Sequence, residues 1–209
     1  MMYTLYSIPG TCSTGITVLL EKLGVAYDVV QREDVPNYAE IVPTNQVPAL
    51  KTEDGEIITE GAAIVLYLLI KHKSDMMPSD LAKKTEFLQW LMFNYATLHP
   101  AYSKIFAVAF KIETSEEERV NLIRQFSDAV SKLWAILDKR LEGRQYIVGN
   151  QPTIIDYLVT VYSSWMRNLP EADIKRGANV ERLIDEIAAL PEFQAAYAKE
   201  STEFQKKAA

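Results

Sequence analysis

A cysteine, a proline and a carboxylate are the residues of this chain whose types and positions could do chemistry. Cys12 follows Pro9-Gly10 at the start of a helical pattern, where the helix dipole favours an anion such as a thiolate. Pro48 interrupts a strand-like run at residues 46–50, and Glu60-Gly61 opens a long apolar helix. The broken strand, the Glu60 carboxylate and the helix start together predict a site for a small peptide-like ligand.

Pro48 predicts a specific backbone conformation at this site. A strand carries proline only at an edge or at a break, because proline donates no backbone hydrogen bond. An X-Pro bond also adopts cis at low cost. We therefore expect Val47-Pro48 to be cis, with the Val47 N–H and C=O unpaired in their own chain. The alternative is an ordinary edge strand with a trans proline.

Composition narrows the class of protein. The chain has 209 residues, 48% apolar and 24% charged, with a net charge of −6, which is typical of a globular protein. The acidic balance argues against a nucleic-acid partner, and no cluster has metal-ligand spacing. We expect no signal peptide and no membrane partner, because the longest uncharged apolar stretch, residues 61–70, is about half a span. A single cysteine favours the cytoplasm.

Hydrophobic periodicity predicts two kinds of structure along the chain. Residues 1–74 alternate strand and helix patterns in the order β-α-β-α-β-β-α, which predicts a small mixed sheet with helices on its faces. Residues 75–82 resemble a linker, and residues 83–209 carry only helical patterns. Thr153 and Asp156 have the spacing of a capping box.

Four patches of sequence carry a family resemblance. They are Pro9-Gly10-Thr11-Cys12-Ser13, Gln46-Val47-Pro48-Ala49-Leu50, Thr59-Glu60-Gly61-Ala62-Ala63-Ile64 and Gly149-Asn150-Gln151-Pro152-Thr153-Ile154-Ile155-Asp156. In this order and spacing the chain resembles the cytosolic glutathione transferases, particularly the bacterial beta-type members. The resemblance implies an α/β thioredoxin-like glutathione-binding domain followed by an all-α, all-helical domain with an electrophile pocket. It also implies a cytoplasmic homodimer.

The same resemblance implies a reaction. Such an enzyme binds glutathione as co-substrate, ionises its thiol and conjugates it to a small hydrophobic electrophile in detoxification. Cys12 would face the glutathione sulfur through its backbone N–H or its side chain. Thr11 is the rival, because related classes place a catalytic serine directly after Pro-Gly. His99 matches a second active-site residue on the fourth helix.

The remaining site residues would hold the tripeptide. Val47 would pair backbone to backbone with its cysteinyl unit, Pro48 would be cis and structural, and Gln46 would contact the ligand. Glu60 would bind the γ-glutamyl ammonium, and Gly61 would offer its N–H at the helix start. Taken alone, Glu60 is better explained as a favourable first-turn carboxylate.

The chain departs from the beta-type pattern around His99. An asparagine of the family is Met92 here, and the basic residue after the histidine is Pro100. These changes remove polar contacts to glutathione and make the electrophile pocket more apolar. Its candidate walls are Tyr102, Phe106 and Trp165, of which we expect Trp165 to pack in the core.

Two other functions fit the same residues. One is a glutathione-dependent thiol transferase or lyase that uses Cys12 as a covalent nucleophile. The other is a non-catalytic protein of the transferase fold that works through partner contacts.

Overall fold

A computed structural model describes residues 2–207 of the chain. Its first part alternates strands and helices as the periodicity predicts. The elements are β1 (Tyr3–Ser7), α1 (Cys12–Leu23), β2 (Tyr27–Gln31), a 3-10 turn (Arg32–Asp34), α2 (Tyr38–Ile41), β3 (Ala49–Lys51), β4 (Ile57–Thr59) and α3 (Gly61–Lys71). The strands form one sheet in the order β2-β1-β3-β4, with β1 parallel to β2 and the other pairs antiparallel. The predicted thioredoxin-like arrangement is confirmed.

The rest of the described chain is helical. Its elements are α4 (Leu81–Met92), a π-helical segment (Phe93–Leu98), α5 (His99–Phe110), α6 (Glu116–Arg140), α7 (Ile154–Ser163), α8 (Ala178–Ala188) and α9 (Pro191–Lys199). The fold class predicted from the sequence is therefore confirmed. The division into residues 1–74, 75–82 and 83–209 stays a prediction.

Helix α1 lies between the sheet and the helical part, where it packs on α7 and α9. The contact is close: a Cβ added to Gly15 would lie 2.6 Å from Cδ2 of Leu158. Glycine lets two helices approach without a side chain between them. This packing fixes the first turn of α1, and with it Cys12.

Helix α7 is buried along its whole length. The predicted capping box is present: the Thr153 side chain accepts from the Ile155 N–H, and the Asp156 carboxylate accepts from the Thr153 N–H at 2.8 Å. Asp156 also accepts from the Ile147 N–H at 2.9 Å and from the Thr153 hydroxyl at 3.0 Å. One carboxylate therefore joins the helix start to the loop before it.

Helix α7 ends at Ser163. Beyond it the backbone turns, and Met166 takes a φ of 62°. A non-glycine residue rarely adopts this left-handed conformation. The turn brings Trp165 next to the first turn of α1, where its indole N–H donates to the Gly10 carbonyl at 2.9 Å.

Burial raises the pKa of Asp156 to about 6, which gives folding stability a defined pH dependence. The folded pKa lies above the unfolded value, so this stabilisation is complete below about pH 4 and is lost as pH rises through 6. We expect Asp156→Asn to destabilise the protein at every pH, because an amide offers one oxygen to three donors. The gap to wild type should narrow by up to about 3 kcal/mol between pH 4 and pH 7.5. Urea unfolding at both pH values measures it, and a gap that widens with pH would contradict the assignment.

Candidate functional site

Two cavities meet at the first turn of α1. Each has a volume of about 440 Å³, and both are lined by Cys12, Val47 and His99. The first cavity continues along α5 and the turn after α7, and the second runs between the Val47-Pro48 turn and the start of α3. Three sequence-predicted residues therefore form the wall between two adjoining spaces.

Cys12 is the first residue of α1 and only 6% exposed. Its Sγ lies 3.8 Å from the Val47 carbonyl oxygen, a distance at which the thiol donates a weak hydrogen bond. Burial raises the pKa of the Cys12 thiol to about 12, against the opposing effect of the backbone N–H groups of Cys12 and Ser13. The side chain is therefore a neutral thiol near pH 7.

The Val47-Pro48 peptide bond is cis, as predicted. Within the described residues the Val47 N–H has no hydrogen-bond partner, which also agrees with the prediction. The prediction for the carbonyl is wrong, because that oxygen accepts from the Cys12 thiol. The residues before the turn are also held: Asn45 takes a φ of 56°, and the Gln46 carbonyl accepts from the Tyr38 hydroxyl at 3.0 Å.

The start of α3 presents unsatisfied groups to the second cavity. Glu60 lies at the N-cap with a φ of 64°, and its side chain makes no capping hydrogen bond. A positive φ in a non-glycine residue costs on the order of 1 kcal/mol or more and clusters at functional sites. Glu60, Gly61 and Gln46 all line this cavity, so the structure brings these predicted residues together.

Two residues of the second cavity were missed by the sequence reasoning. Arg32 and Tyr95 both line it, and in the described part of the chain the Arg32 Nε and the Tyr95 hydroxyl are buried without a hydrogen-bond partner. Arg32 lies above the Tyr38 ring, 5.8 Å from its centroid. Neither residue belongs to a recognisable motif, so only the fold reveals them.

A chain of hydroxyls fixes the protons around Thr11. Ser7 donates to Glu200 at 2.9 Å and lies 2.7 Å from the Ser13 oxygen, which in turn lies 2.7 Å from the Thr11 oxygen. A hydroxyl has one proton, so Ser13 donates to Ser7, and Thr11 donates to Ser13 or to the Ile8 carbonyl at 2.8 Å. Thr11 also caps α1. Its proton is therefore engaged within the chain.

Glu200 organises this chain from the far end of the sequence. It is buried, and its carboxylate also accepts from the hydroxyls of Thr14 at 2.6 Å and Thr17 at 2.5 Å. Burial raises the pKa of Glu200, and the hydrogen bonds from these hydroxyls oppose that shift. No local pattern marks the residue, so sequence reasoning had no signal for it.

His99 lies among aromatic rings. Its ring centroid is 5.3 Å from that of Trp165 and 5.9 Å from that of Tyr162, both edge to face. Burial lowers the His99 pKa, so the imidazole is neutral near pH 7. Met92 is 39% exposed at the end of α4 and lines neither cavity.

The first cavity has an aromatic floor. Phe106 and Trp165 line it, as predicted, together with Phe110. Tyr102 does not: it is fully buried, and its hydroxyl accepts from the Trp134 indole N–H at 2.9 Å. That prediction is wrong because Tyr102 points into the helical core rather than towards the cavity. Trp165 does pack in the core, but it also forms this wall.

Among residues 2–207, no group of three or more histidine, cysteine or carboxylate side chains could hold a metal ion. No helix in the same residues is long and apolar enough to cross a bilayer.

Comparison with known proteins gives the same assignment in both halves of the chain. A family model described as "Glutathione S-transferase, N-terminal domain" matches residues 1–69. A second, "Glutathione S-transferase, C-terminal domain", matches residues 99–200. Together the two matches leave out residues 70–98 and 201–209, and they include all four patches quoted above.

Individual relatives agree along the full length. The Glutathione S-transferase GstA of Escherichia coli O157:H7 is 26% identical over 206 residues, covering 94% of this chain and 98% of that protein. A bacterial beta class enzyme of Sphingomonas chungbukensis is 26% identical with a TM-score of 0.81, covering 96% of this chain and all (100%) of that one. A sphingomonad glutathione S-transferase complexed with glutathione is 25% identical with a TM-score of 0.81, again covering 96% and 100%.

The buried Cys12 thiol gives a direct chemical prediction. With its pKa raised to about 12, the thiolate fraction near neutral pH is far smaller than that of a free cysteine. We expect iodoacetamide at pH 7.5 to alkylate Cys12 at least about 100-fold more slowly than free cysteine. Intact mass spectrometry measures the rate, and the same protein in urea is the control. Rapid alkylation of the folded chain would contradict the assigned burial and charge state.

Proposed function

The chain belongs to the glutathione S-transferase family, and from that premise we propose that it conjugates glutathione to a small hydrophobic electrophile. The observation that carries the proposal is the wall of Cys12, Val47 and His99 shared by two cavities. Glutathione occupies the second cavity and the electrophile the first. The glutathione sulfur then lies at their junction, which places nucleophile and electrophile side by side.

The Val47 backbone recognises the cysteinyl unit. Its N–H has no partner in the described chain, and its C=O is held only by the weak thiol donor of Cys12. A peptide ligand running antiparallel supplies one acceptor and one donor, as an added strand does. Pro48 holds the turn, and Gln46 borders the same cavity.

The two ends of the ligand meet opposite charges. Glu60 binds the γ-glutamyl ammonium, and the N–H groups at the start of α3, beginning with Gly61, bind the carboxylate beside it. Arg32 is the cation of this cavity, and it makes no ion pair within the described residues. We assign it to the glycyl carboxylate of glutathione.

Glutathione binding changes the hydrogen-bond partner of the Val47 carbonyl, and this change helps to ionise the glutathione thiol. In the free protein the Cys12 thiol donates to the Val47 carbonyl. When the cysteinyl N–H of glutathione takes that carbonyl, the Cys12 proton is released to donate to the glutathione sulfur. The positive end of the α1 dipole adds to this stabilisation of the thiolate. Thr11 has no proton to contribute, because its own is already engaged.

The thiolate then attacks the electrophile held on the aromatic floor of Phe106, Phe110 and Trp165. A neutral His99 at the junction can orient a polar atom of either ligand through one ring nitrogen. The apolar floor favours aromatic electrophiles, whose rings stack edge to face. Turnover therefore rests on orientation and anion stabilisation.

The assembly and location are part of the proposal. We propose a cytoplasmic homodimer that acts in detoxification. Exposed apolar side chains on α3 and α4 support an interface there, namely Ile70, Leu81 and Met92. Light scattering that gives a mass near twice 23.7 kDa would support the dimer, and a monomer would contradict it.

The division of labour between Cys12 and Thr11 is testable. We expect Cys12→Ala to raise the pKa of the enzyme-bound glutathione thiol by about one unit and to lower turnover about tenfold below that pKa. Thr11→Ala should cost on the order of 1 kcal/mol of folding stability and leave the bound thiol pKa unchanged. The measurements are thiolate absorbance, turnover of an activated aryl halide against pH, and urea unfolding.

Other results of these binding and turnover measurements would favour a different function. A wild type that does not bind glutathione at millimolar concentration sinks the proposal. Binding without turnover favours the non-catalytic reading. A glutathione adduct on Cys12, seen by mass and essential for activity, favours the thiol transferase.

The charge contacts give a second prediction. Glu60→Gln and Arg32→Ala should each weaken glutathione binding about 10- to 100-fold, because each removes a charge-assisted hydrogen bond. Titration calorimetry measures the affinity. Glu56→Gln and Arg124→Ala, exposed residues outside the cavity, are the matched controls and should bind as wild type. Equal loss in a control and its partner variant would show a general charge effect instead of these contacts.

A further inference from the structure

Tyr95 carries a buried donor that lacks an acceptor. It lies in the π-helical segment Phe93–Leu98, and it lines the second cavity with Glu60, Gly61 and Cys12. Its hydroxyl oxygen is buried and unpartnered in the part of the chain that the structure describes. Since buried hydroxyls nearly always carry a hydrogen bond, the missing acceptor points to a group from outside the chain.

The hydroxyl is held against the first residue of α3. A Cβ added to Gly61 would lie 2.4 Å from Cε1, 2.6 Å from Cζ and 2.7 Å from the hydroxyl oxygen of Tyr95. Such distances are not tolerated, so the Tyr95 ring fills the space that a side chain at position 61 would need. The glycine and the tyrosine therefore form one unit, which brings a side-chain donor next to the N–H groups at the helix start.

Helix α3 has eleven residues, and its first turn lacks the side-chain cap that α1, α4, α6 and α7 have. Its N-terminal N–H groups thus remain donors, and the dipole favours an anion there. The Tyr95 hydroxyl lies beside them and adds a side-chain donor. Several donors beside one another suit a carboxylate.

We propose that the Tyr95 hydroxyl donates a hydrogen bond to the α-carboxylate at the γ-glutamyl end of glutathione. This rests on the proposed function and assigns a further binding residue to it. The hydroxyl is closed to solvent in the free protein, so this contact requires the Tyr95 ring to move when the ligand binds. Glu60 then binds the ammonium of the α-amino acid group. Tyr95 and the N–H groups at the start of α3 bind the carboxylate of the same group.

The protonation state suits this role. Burial raises the pKa of Tyr95 well above its usual value, so the hydroxyl keeps its proton throughout the physiological range and acts as a donor. The same Gly61 contact explains why a larger residue at position 61 would displace it.

Tyr95→Phe tests the proposal through two ligands. One is glutathione, and the other is 4-aminobutanoyl-cysteinylglycine, which lacks only the α-carboxylate. We expect Tyr95→Phe to weaken glutathione binding about 10- to 100-fold and to leave the affinity for the analogue unchanged. Without ligand, Tyr95→Phe should unfold at an equal or higher temperature, because it removes an unsatisfied buried hydroxyl. Calorimetric titration and thermal unfolding measure both effects.

Tyr67→Phe is the matched control, since Tyr67 lies on α3 outside the cavity and should bind both ligands as wild type. The assignment of Tyr95 fails if Tyr95→Phe binds glutathione as wild type, or loses both ligands equally. It also fails if the variant changes the pKa of the bound thiol at unchanged affinity, which would place the hydroxyl at the sulfur. A wild type that binds neither ligand overturns the proposed function itself.

Discussion

The site depends on how the helical part holds the first turn of α1. Glu200 accepts hydrogen bonds from Ser7, Thr14 and Thr17, and the Trp165 indole donates to the Gly10 carbonyl. These contacts join the C-terminal helices to the one turn that carries Cys12. They also set the direction of the hydroxyl protons, which leaves Thr11 as a cap of α1. In the proposed function, this structural carboxylate far along the chain thus leaves Cys12, rather than Thr11, to donate to the ligand.

Around that fixed turn, the second cavity collects groups that the chain does not satisfy. The Val47 N–H, the first turn of α3, the Arg32 Nε and the Tyr95 hydroxyl all lack partners within the described residues. Each such group costs free energy in the unliganded protein. Their arrangement, with the cation and the Glu60 carboxylate in the same cavity, matches a tripeptide that has an amine and two carboxylates. In the proposed complex, glutathione supplies the hydrogen bonds that folding leaves unmade.

The sequence predicted the parts of this arrangement that are local. These parts are Cys12 at a helix start, the cis Val47-Pro48 bond and Glu60 before α3. Each lies in a short motif whose backbone conformation can be predicted from the neighbouring residues. It could not predict Tyr95, because its place against Gly61 depends on how the π-helical segment packs on α3. The Val47 carbonyl was misjudged for the same reason: its partner comes from another element.

The strained and unsatisfied groups also explain why the site is built from these residues. Glu60 has a left-handed backbone conformation, in which glycine would be more stable. Tyr95 has a buried hydroxyl without a partner in the described residues, which phenylalanine would lack. Selection for stability alone would remove both. In the proposed binding mode, the Glu60 carboxylate binds the ammonium and the Tyr95 hydroxyl binds the carboxylate of one α-amino acid group. Both residues line the same cavity, so under this proposal one ligand group accounts for both costs.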